Sequence, residues 1–346
     1  MVNRENGNEV VVYGASGHTG RFVVAELVRR GLRPVVAGRR AGLLSEMAAR
    51  HGDLSVRVAA VDDAAGLAAT VRGARVVVNA AGPFLDTAPA LAAASVAAGA
   101  HYLDLAAEQA AARNLLDAHA GAGVAVVPAL AFYGGLPDLL ATAAAAGWER
   151  VDEVTVAYGV DRWWPTAGTR LTGRRNTVPR LVLEDGRLVP APRPAPETSW
   201  QFPDPLGRQR VVGNPFTEVV LLARHLGVAR VTSLLTGSAL DDLRDTTTPA
   251  PAALDGTGRS AQRFVVEVVT RRGAEERRIS ASGQDIYAST APLVAEGVLR
   301  LLDGRTLTTG ARAPGAAFDA DDVLTALADD GHLDVRRSWT SPGGGR

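Results

Sequence analysis

Cysteine is absent from this 346-residue chain, and so is lysine: all 37 basic side chains are arginine. Without cysteine there are no disulfides, thiolate nucleophiles, iron–sulfur clusters or cysteine-ligated zinc. Such a composition suits the reducing cytoplasm, where the protein is expected to reside. Without lysine there is no Schiff-base chemistry and no Tyr-x-x-x-Lys proton relay, so cationic work falls to arginine, histidine or helix termini. Histidine is scarce, with six residues and no His-x-x-x-His or His-Glu-x-x-His spacing, and no metal is expected.

Excess charge is also lacking. The 37 arginines balance 37 acidic residues to a formal net charge of zero. Neither nucleic acid nor a membrane surface is favoured as a partner, because long-range attraction is missing. The first residues show no basic stretch followed by an apolar one, and a secretory signal is not expected. The longest small-residue runs, Leu91–Ala98 and Leu139–Gly147, are too short to span a bilayer.

What is present is a 47% hydrophobic chain without an extended polar tract, long enough for two domains. Strand patterns at Glu9–Tyr13, Arg33–Ala37, Ser55–Ala59, Arg75–Asn79, Tyr102–Asp104 and Val124–Val127 alternate with helical ones. The helices are predicted at His18–Arg30, Ala41–Arg50, Asp63–Val71, Ala88–Ala98 and Glu108–Ala118. This order predicts an α/β protein with a Rossmann-type doubly wound parallel sheet.

The pattern changes after Tyr133-Gly134-Gly135-Leu136-Pro137. Strand-like runs at Glu153–Val160, Arg210–Val212, Arg230–Thr236, Gln262–Thr270 and Glu276–Ser282 predict a second, α+β domain with a largely antiparallel sheet. Antiparallel pairing is expected across Arg271-Arg272-Gly273-Ala274, whereas Arg170–Gln209 reads as a long excursion with little regular structure. Helices are predicted at Thr290–Leu302 and Asp319–Ala328, and Ser341–Gly345 reads as a frayed tail.

Val10–Tyr13 runs directly into Gly14-Ala15-Ser16-Gly17-His18-Thr19-Gly20. A strand, a tight glycine turn and a helix start offer backbone N–H groups to a pyrophosphate. Gly14 would make the turn, Gly17 admit the phosphate and Gly20 let helix and sheet pack closely. The spacing is Gly-x-x-Gly-x-x-Gly, and its placement between strand and helix separates it from an ordinary turn. At the end of the second strand, Gly38-Arg39-Arg40 replaces the acid that binds the ribose hydroxyls in NAD sites. Arg39, assisted by Arg40 or Ser16, is therefore the expected reader of a 2′-phosphate, and NADP(H) the expected cofactor. Asn79-Ala80-Ala81-Gly82-Pro83-Phe84 should line the ribose or nicotinamide. Asp62 is expected to cap the next helix rather than approach the adenine.

Together these segments resemble the saccharopine dehydrogenase-like (saccharopine reductase-like) oxidoreductases, including relatives described as trans-acting enoyl reductases. The resemblance rests on Gly14–Gly20, Ala37-Gly38-Arg39, Asn79–Pro83, and His101-Tyr102-Leu103-Asp104-Leu105 with Glu108. Gly134-Gly135-Leu136-Pro137-Asp138 and Gly283-Gln284-Asp285-Ile286-Tyr287 resemble later family segments. It implies a Rossmann domain built from both chain ends around an inserted domain: residues 1–133, an α+β substrate or dimerisation domain at 134–285, and 286–346 returning. It also implies hydride transfer between NADPH and a C=N or activated C=C bond. Family members with a Lys–His catalytic pair match poorly, so saccharopine is not assigned as substrate.

Among candidate catalytic groups, Tyr133 lies just beyond the sixth strand, where its phenol can donate a proton or stack on the nicotinamide. Asp104 is a second candidate, or it shapes its loop together with Glu108. Tyr102 and Asp104 are expected on opposite faces of their strand unless the strand ends between them. In the second domain Tyr158, Trp163 and Trp164 offer an aromatic wall. Arg170, Arg174 and Arg175 offer groups for a small, carboxylate-bearing substrate, with Tyr158 and Arg174 carried as catalytic candidates. The other readings are a catalytically inactive NADP(H)-binding scaffold or redox sensor, and an epimerase-like enzyme, which the missing lysine disfavours. A homodimer through a sheet edge is a further expectation.

Overall fold

The computed structural model describes residues 9–340; the tail reading at Ser341–Gly345 lies outside them. Six short strands occur where the apolar runs predict them: β1 Val10–Tyr13, β2 Val35–Gly38, β3 Val56–Val58, β4 Val76–Asn79, β5 His101–Asp104 and β6 Ala125–Val127. β1, β2 and β4 are buried along their whole length, because helices cover both faces of a parallel sheet. All pairings in this sheet are parallel, in the order β6-β5-β4-β1-β2-β3. The chain reverses direction around β1 and β4, so the crevice at their C-terminal ends is where a dinucleotide binds in such sheets.

The second sheet is built on β7 Val151–Val160 and continues through β8 Leu181–Glu184, β9 Arg187–Pro190, β10 Glu197–Gln201, β11 Arg208–Gly213, β12 Val228–Thr236, β13 Arg263–Arg272 and β14 Glu275–Gln284. β13 and β14 pair antiparallel across Gly273-Ala274. Only β7 and β12 pair in parallel among its described ladders. The stretch 170–209 is more ordered than its Arg, Pro and Gly content predicts. It holds most of a helix at Ala167–Arg175, then β8, β9 and β10 and the start of β11. β8 pairs with β9 and β10 with β11 as local hairpins, but their mostly exposed or half-buried residues carry no apolar alternation for the sequence to show.

The C-terminal segment serves both sheets. β15, Gly310–Ala311, pairs with β6 and extends the parallel sheet to seven strands. Helix Thr290–Leu302 packs on helix His18–Arg29, and a buried ion network joins them. Glu26 accepts from Arg29 and Arg30, Arg30 reaches Glu296, and Arg300 pairs with Glu296 and Asp322. Asp319 caps the helix Ala320–Asp329 through the Asp322 N–H. The chain then departs from the expected return: β16, Asp334–Thr340, pairs antiparallel with β14 in the second sheet. Among the described residues no helix is long and apolar enough to cross a membrane.

Candidate functional site

The glycine turn has the form its sequence requires. Gly14 sits at φ +83°, and a Cβ there would lie 2.7–2.8 Å from the Ala80-Ala81 backbone. A Cβ on Gly20 would lie 2.3 Å from the Gly14 carbonyl oxygen. Only hydrogen atoms fit at both places, which lets the turn, the β4 loop and the helix start converge. Gly14 N–H donates 2.8 Å to the Ala37 carbonyl, tying the turn to β2. The following helix, His18–Arg29, starts at Gly17 with no side-chain cap and no acid in its first turn. Its first N–H groups therefore keep their capacity for an anion. Ser16, Gly17, His18 and Thr19 are partly exposed there. The His18 ring packs edge-on against Phe22 and Tyr287, burial lowers its pKa, and its buried Nε2 has no partner.

Arg39 and Arg40 are exposed where β2 ends, and neither forms a side-chain hydrogen bond or ion pair among the described residues. Asp63, not Asp62, caps the next helix, accepting 2.9 Å from the Gly66 N–H.

Buried polar groups hold the β4 loop rigid. The Asn79 amide donates to Thr87 Oγ1 (3.2 Å) and Tyr102 Oη (3.0 Å) and accepts from Ala81 N–H (3.0 Å). Glu108 does not cap its own helix; it accepts 2.9 Å from the Phe84 N–H just after Gly82-Pro83. Tyr102 and Asp104 share a face, contrary to expectation, because residues two apart on a strand project the same way. Tyr102 Oη donates 3.0 Å to Asp104 Oδ2. Asp104 also accepts from the Ala106 and Ala129 N–H groups (3.0 and 2.7 Å), so it ties together the loops after β5 and β6. Full burial raises its pKa to about 6 despite these donors.

The second domain closes over this edge. Thr172 Oγ1, on helix Ala167–Arg175, would lie 3.2 Å from a Cβ on Gly82. Arg175 makes two 2.9 Å contacts with the Asp86 carboxylate. Tyr287 anchors the approach to that helix: its oxygen accepts from Trp163 Nε1–H (3.0 Å) and Thr166 N–H (3.3 Å) and shares a bond with Thr169 Oγ1 (2.9 Å).

Behind it stands an aromatic wall that includes Tyr158 and Trp163 of the three residues expected there, joined by Tyr133 and Phe216 rather than Trp164. Tyr133 stacks on Trp163 at 5.1 Å and on Phe216 at 4.1 Å. Its buried hydroxyl has no partner, and burial pushes its pKa well above the ordinary 10.0. Tyr158 contributes a ring, but its hydroxyl is committed to Glu218 Oε2 at 2.8 Å. The arginines separate into different roles. Arg170 donates to the Asp245 and Thr248 carbonyls, Arg175 pairs with Asp86, and Arg174 is exposed at the helix end.

Three participants carried no sequence signal, Gln109, Arg180 and Glu218, while Tyr287 entered only as the end of the segment Gly283–Tyr287. Gln109 bridges the domains by bonding both backbone groups of Leu181 and the Phe216 carbonyl. Arg180 lies 5.2 Å from the Phe216 ring centroid. Each of the three has a partner remote in the chain, Leu181 for Gln109, Asn214 for Arg180 and Tyr158 for Glu218, and no local motif marks it. Among the described residues no three His, Asp or Glu side chains form a metal-binding group.

Residues 10–158 match the family model for the saccharopine dehydrogenase NADP binding domain. The match covers the parallel-sheet domain and runs to Tyr158 in β7, so this part of the chain is similar to the NADP-binding domain of that family. The fold agrees: apo saccharopine dehydrogenase (L-Glu forming) from Saccharomyces cerevisiae superposes with a TM-score of 0.67, covering 97% of this chain and 100% of that one at 13% identity. A curated relative, a lipid droplet localized protein of Caenorhabditis elegans, is 40% identical over 114 residues. That match spans 30% of this chain and 27% of the relative. The Citrobacter sp. triphenylmethane reductase complexed with NADP(H) aligns over 28% of this chain and 36% of its own, at 18% identity and a TM-score of 0.25.

Proposed function

We propose that this saccharopine dehydrogenase-like chain is an NADPH-dependent reductase that delivers hydride to a C=N or activated C=C bond of a small carboxylate-bearing metabolite. The observation that carries the reading is the glycine turn pressed against Ala80-Ala81, with an uncapped helix start on one side and two unpaired arginines on the other. A Cβ at Gly14 or Gly20 would fill this cradle, which suits a pyrophosphate close to backbone.

Each group then has a physical task. The N–H groups of His18 and Thr19 hold the pyrophosphate, while the Gly17 N–H closes the turn on the Gly14 carbonyl. Arg39 and Arg40 hold the 2′-phosphate, which a carboxylate at that place would repel. The Ala80–Pro83 loop supports the ribose and nicotinamide, kept in place by Asn79 and Glu108. When bound, NADPH supplies the hydride. Trp163, Tyr133 and Phe216 exclude water from the acceptor side. Tyr133 stays protonated at neutral pH, and its hydroxyl has no acceptor within the fold, so it is the proton donor in this reading.

The test is stopped-flow oxidation of NADPH against a panel of cyclic imines and enoyl carboxylates. Saturable loss of NADPH with matching product is expected. Tight NADPH binding with no hydride transferred across the panel would favour the scaffold or sensor reading instead. Cytoplasmic placement is proposed from the cysteine-free composition, and imaging tests it. Concentration of the protein on lipid droplets, the location in the relative's name, would overturn that placement.

A further inference from the structure

Arg180 differs from the other arginines around the site. It is half-buried, and no carboxylate lies within ion-pair distance of it among the described residues. Its Nη1 donates to Asn214 Oδ1 (2.8 Å) and the Pro215 carbonyl (3.0 Å), both neutral acceptors. Its Nε and Nη2 have no acceptor among the described residues. Burial lowers its pKa from the ordinary arginine value, and Glu218 nearby partly offsets that. The guanidinium lines a recess formed by Ala107, Gln109, Asn176, Val178 and Pro215, where the β5 loop meets the second domain.

Two buried polar groups next to it are also unpartnered. Asn214 Nδ2 has no acceptor, although Oδ1 of the same amide is bonded to Arg180. The Tyr133 hydroxyl is the other. Both residues are only 8% exposed. Buried donors without acceptors are rare in folded proteins and indicate a place where something else accepts.

Continuous contacts lead from this recess to the cofactor turn. Arg180 lies over Phe216, Phe216 stacks on Tyr133, Tyr133 stacks on Trp163, Trp163 bonds Tyr287, and Tyr287 packs against His18.

We propose that Arg180, with the Asn214 amide, is the receptor for the carboxylate of the hydride acceptor and so selects acidic substrates. This deepens the function proposed above and rests on it. A guanidinium edge presents two parallel N–H donors that match a carboxylate, and Asn214 Nδ2 adds a third. Arg170 and Arg175 are committed to other partners, so neither takes this role.

The test uses the full-length protein saturated with NADPH. Succinate and glutarate are titrated by isothermal calorimetry, and inorganic phosphate is titrated separately. The wild type should bind the dicarboxylates and prefer them to phosphate. Arg180→Gln should weaken dicarboxylate binding roughly tenfold to a hundredfold. Arg180→Lys should fall between, because it keeps the charge and loses the paired donors. Arg187→Gln, which removes an exposed charge on β9, should bind like the wild type. NADPH affinity, measured on the same samples, should be equal in all four proteins.

Dicarboxylate binding unaffected by Arg180→Gln would overturn the assignment, as would a preference for phosphate. Failure of the wild type to bind NADPH would overturn the proposed function instead. Should Arg180→Gln fold poorly, Arg180→Lys decides the matter: dicarboxylate affinity equal to wild type counts against the assignment.

Discussion

The Tyr287 hydroxyl oxygen lies 3.0 Å from the Trp163 indole nitrogen, and this bond joins the end of the antiparallel sheet to the aromatic wall over the glycine turn. The same oxygen holds Thr166 and Thr169, so one atom sets the approach of helix Ala167–Arg175. Tyr287→Phe leaves the Trp163 N–H and the Thr166 N–H without their acceptor. The expected cost is about 1–3 kcal/mol of stability. A rise in KM for the acceptor larger than any change in NADPH affinity should accompany it. Urea unfolding and steady-state kinetics measure the two effects; equal stability and equal KM would refute the assigned anchoring.

Arg39 is exposed and forms no side-chain hydrogen bond or ion pair among the described residues, so its removal should alter cofactor choice without altering the fold. Arg39→Ala is expected to weaken NADPH binding roughly tenfold while NADH binding changes little. Arg39→Asp should invert the preference, since a carboxylate accepts from ribose hydroxyls and repels the phosphate. Isothermal titration with both cofactors decides this. A parallel loss of both affinities would place the 2′-phosphate elsewhere.

Gly20 and Gly42 make a contrasting pair. A methyl group on Gly20 meets the Gly14 and Ala15 carbonyl oxygens at 2.3 and 2.9 Å, and backbone cannot move aside cheaply. Gly20→Ala should cost about 3 kcal/mol and abolish cofactor binding. Gly42, inside a helix, has nothing within 4 Å of its built Cβ. Gly42→Ala should be neutral or stabilise by up to about 1 kcal/mol. Thermal unfolding of both variants provides the comparison.

His225 Nε2 lies 2.8 Å from the buried Asp138 Oδ1. Burial alone would lower the imidazole pKa, but the Asp138 carboxylate outweighs it and the folded value is raised above 6.5. A raised folded pKa contributes stability that is fully present below the unfolded pKa and lost as pH rises through the folded one. The Tm gap between wild type and His225→Gln should therefore be widest near pH 5.5 and shrink as the pH is raised through neutrality. A gap that widens with rising pH would refute the protonated pair.

Asp104 has the opposite sense for an acid. Burial raises its carboxyl from 3.8 to about 6, so its contribution to stability is greatest below pH 4 and declines as the pH rises to 6. Asp104→Asn should flatten the stability profile across that window. An unchanged slope between pH 4 and 6 would count against the raised value.

Short-range chemistry was enough to read half of this molecule. Val10–Gly20 announces a strand, a glycine turn and a helix start because apolar period and missing Cβ atoms are properties of adjacent residues. Arg39 was legible for the same reason, standing at a known strand end. The six parallel strands follow from apolar runs alternating with helical periods, and the hairpin of β13 and β14 from its turn. The hairpins of β8 with β9 and of β10 with β11 were not legible, since their mostly exposed or half-buried residues lack apolar alternation, and β16 was not because its partner β14 lies far back in the chain. Nor was the partnering of side chains. Tyr133, Tyr158, Arg170, Arg174 and Arg175 look alike as candidates in sequence. Only the folded contacts commit Tyr158 to Glu218 and Arg175 to Asp86, and leave the Tyr133 hydroxyl and two Arg180 nitrogens free. A hydrogen bond is decided within about 3 Å of space, and here the partners sit as far apart along the chain as Trp163 and Tyr287.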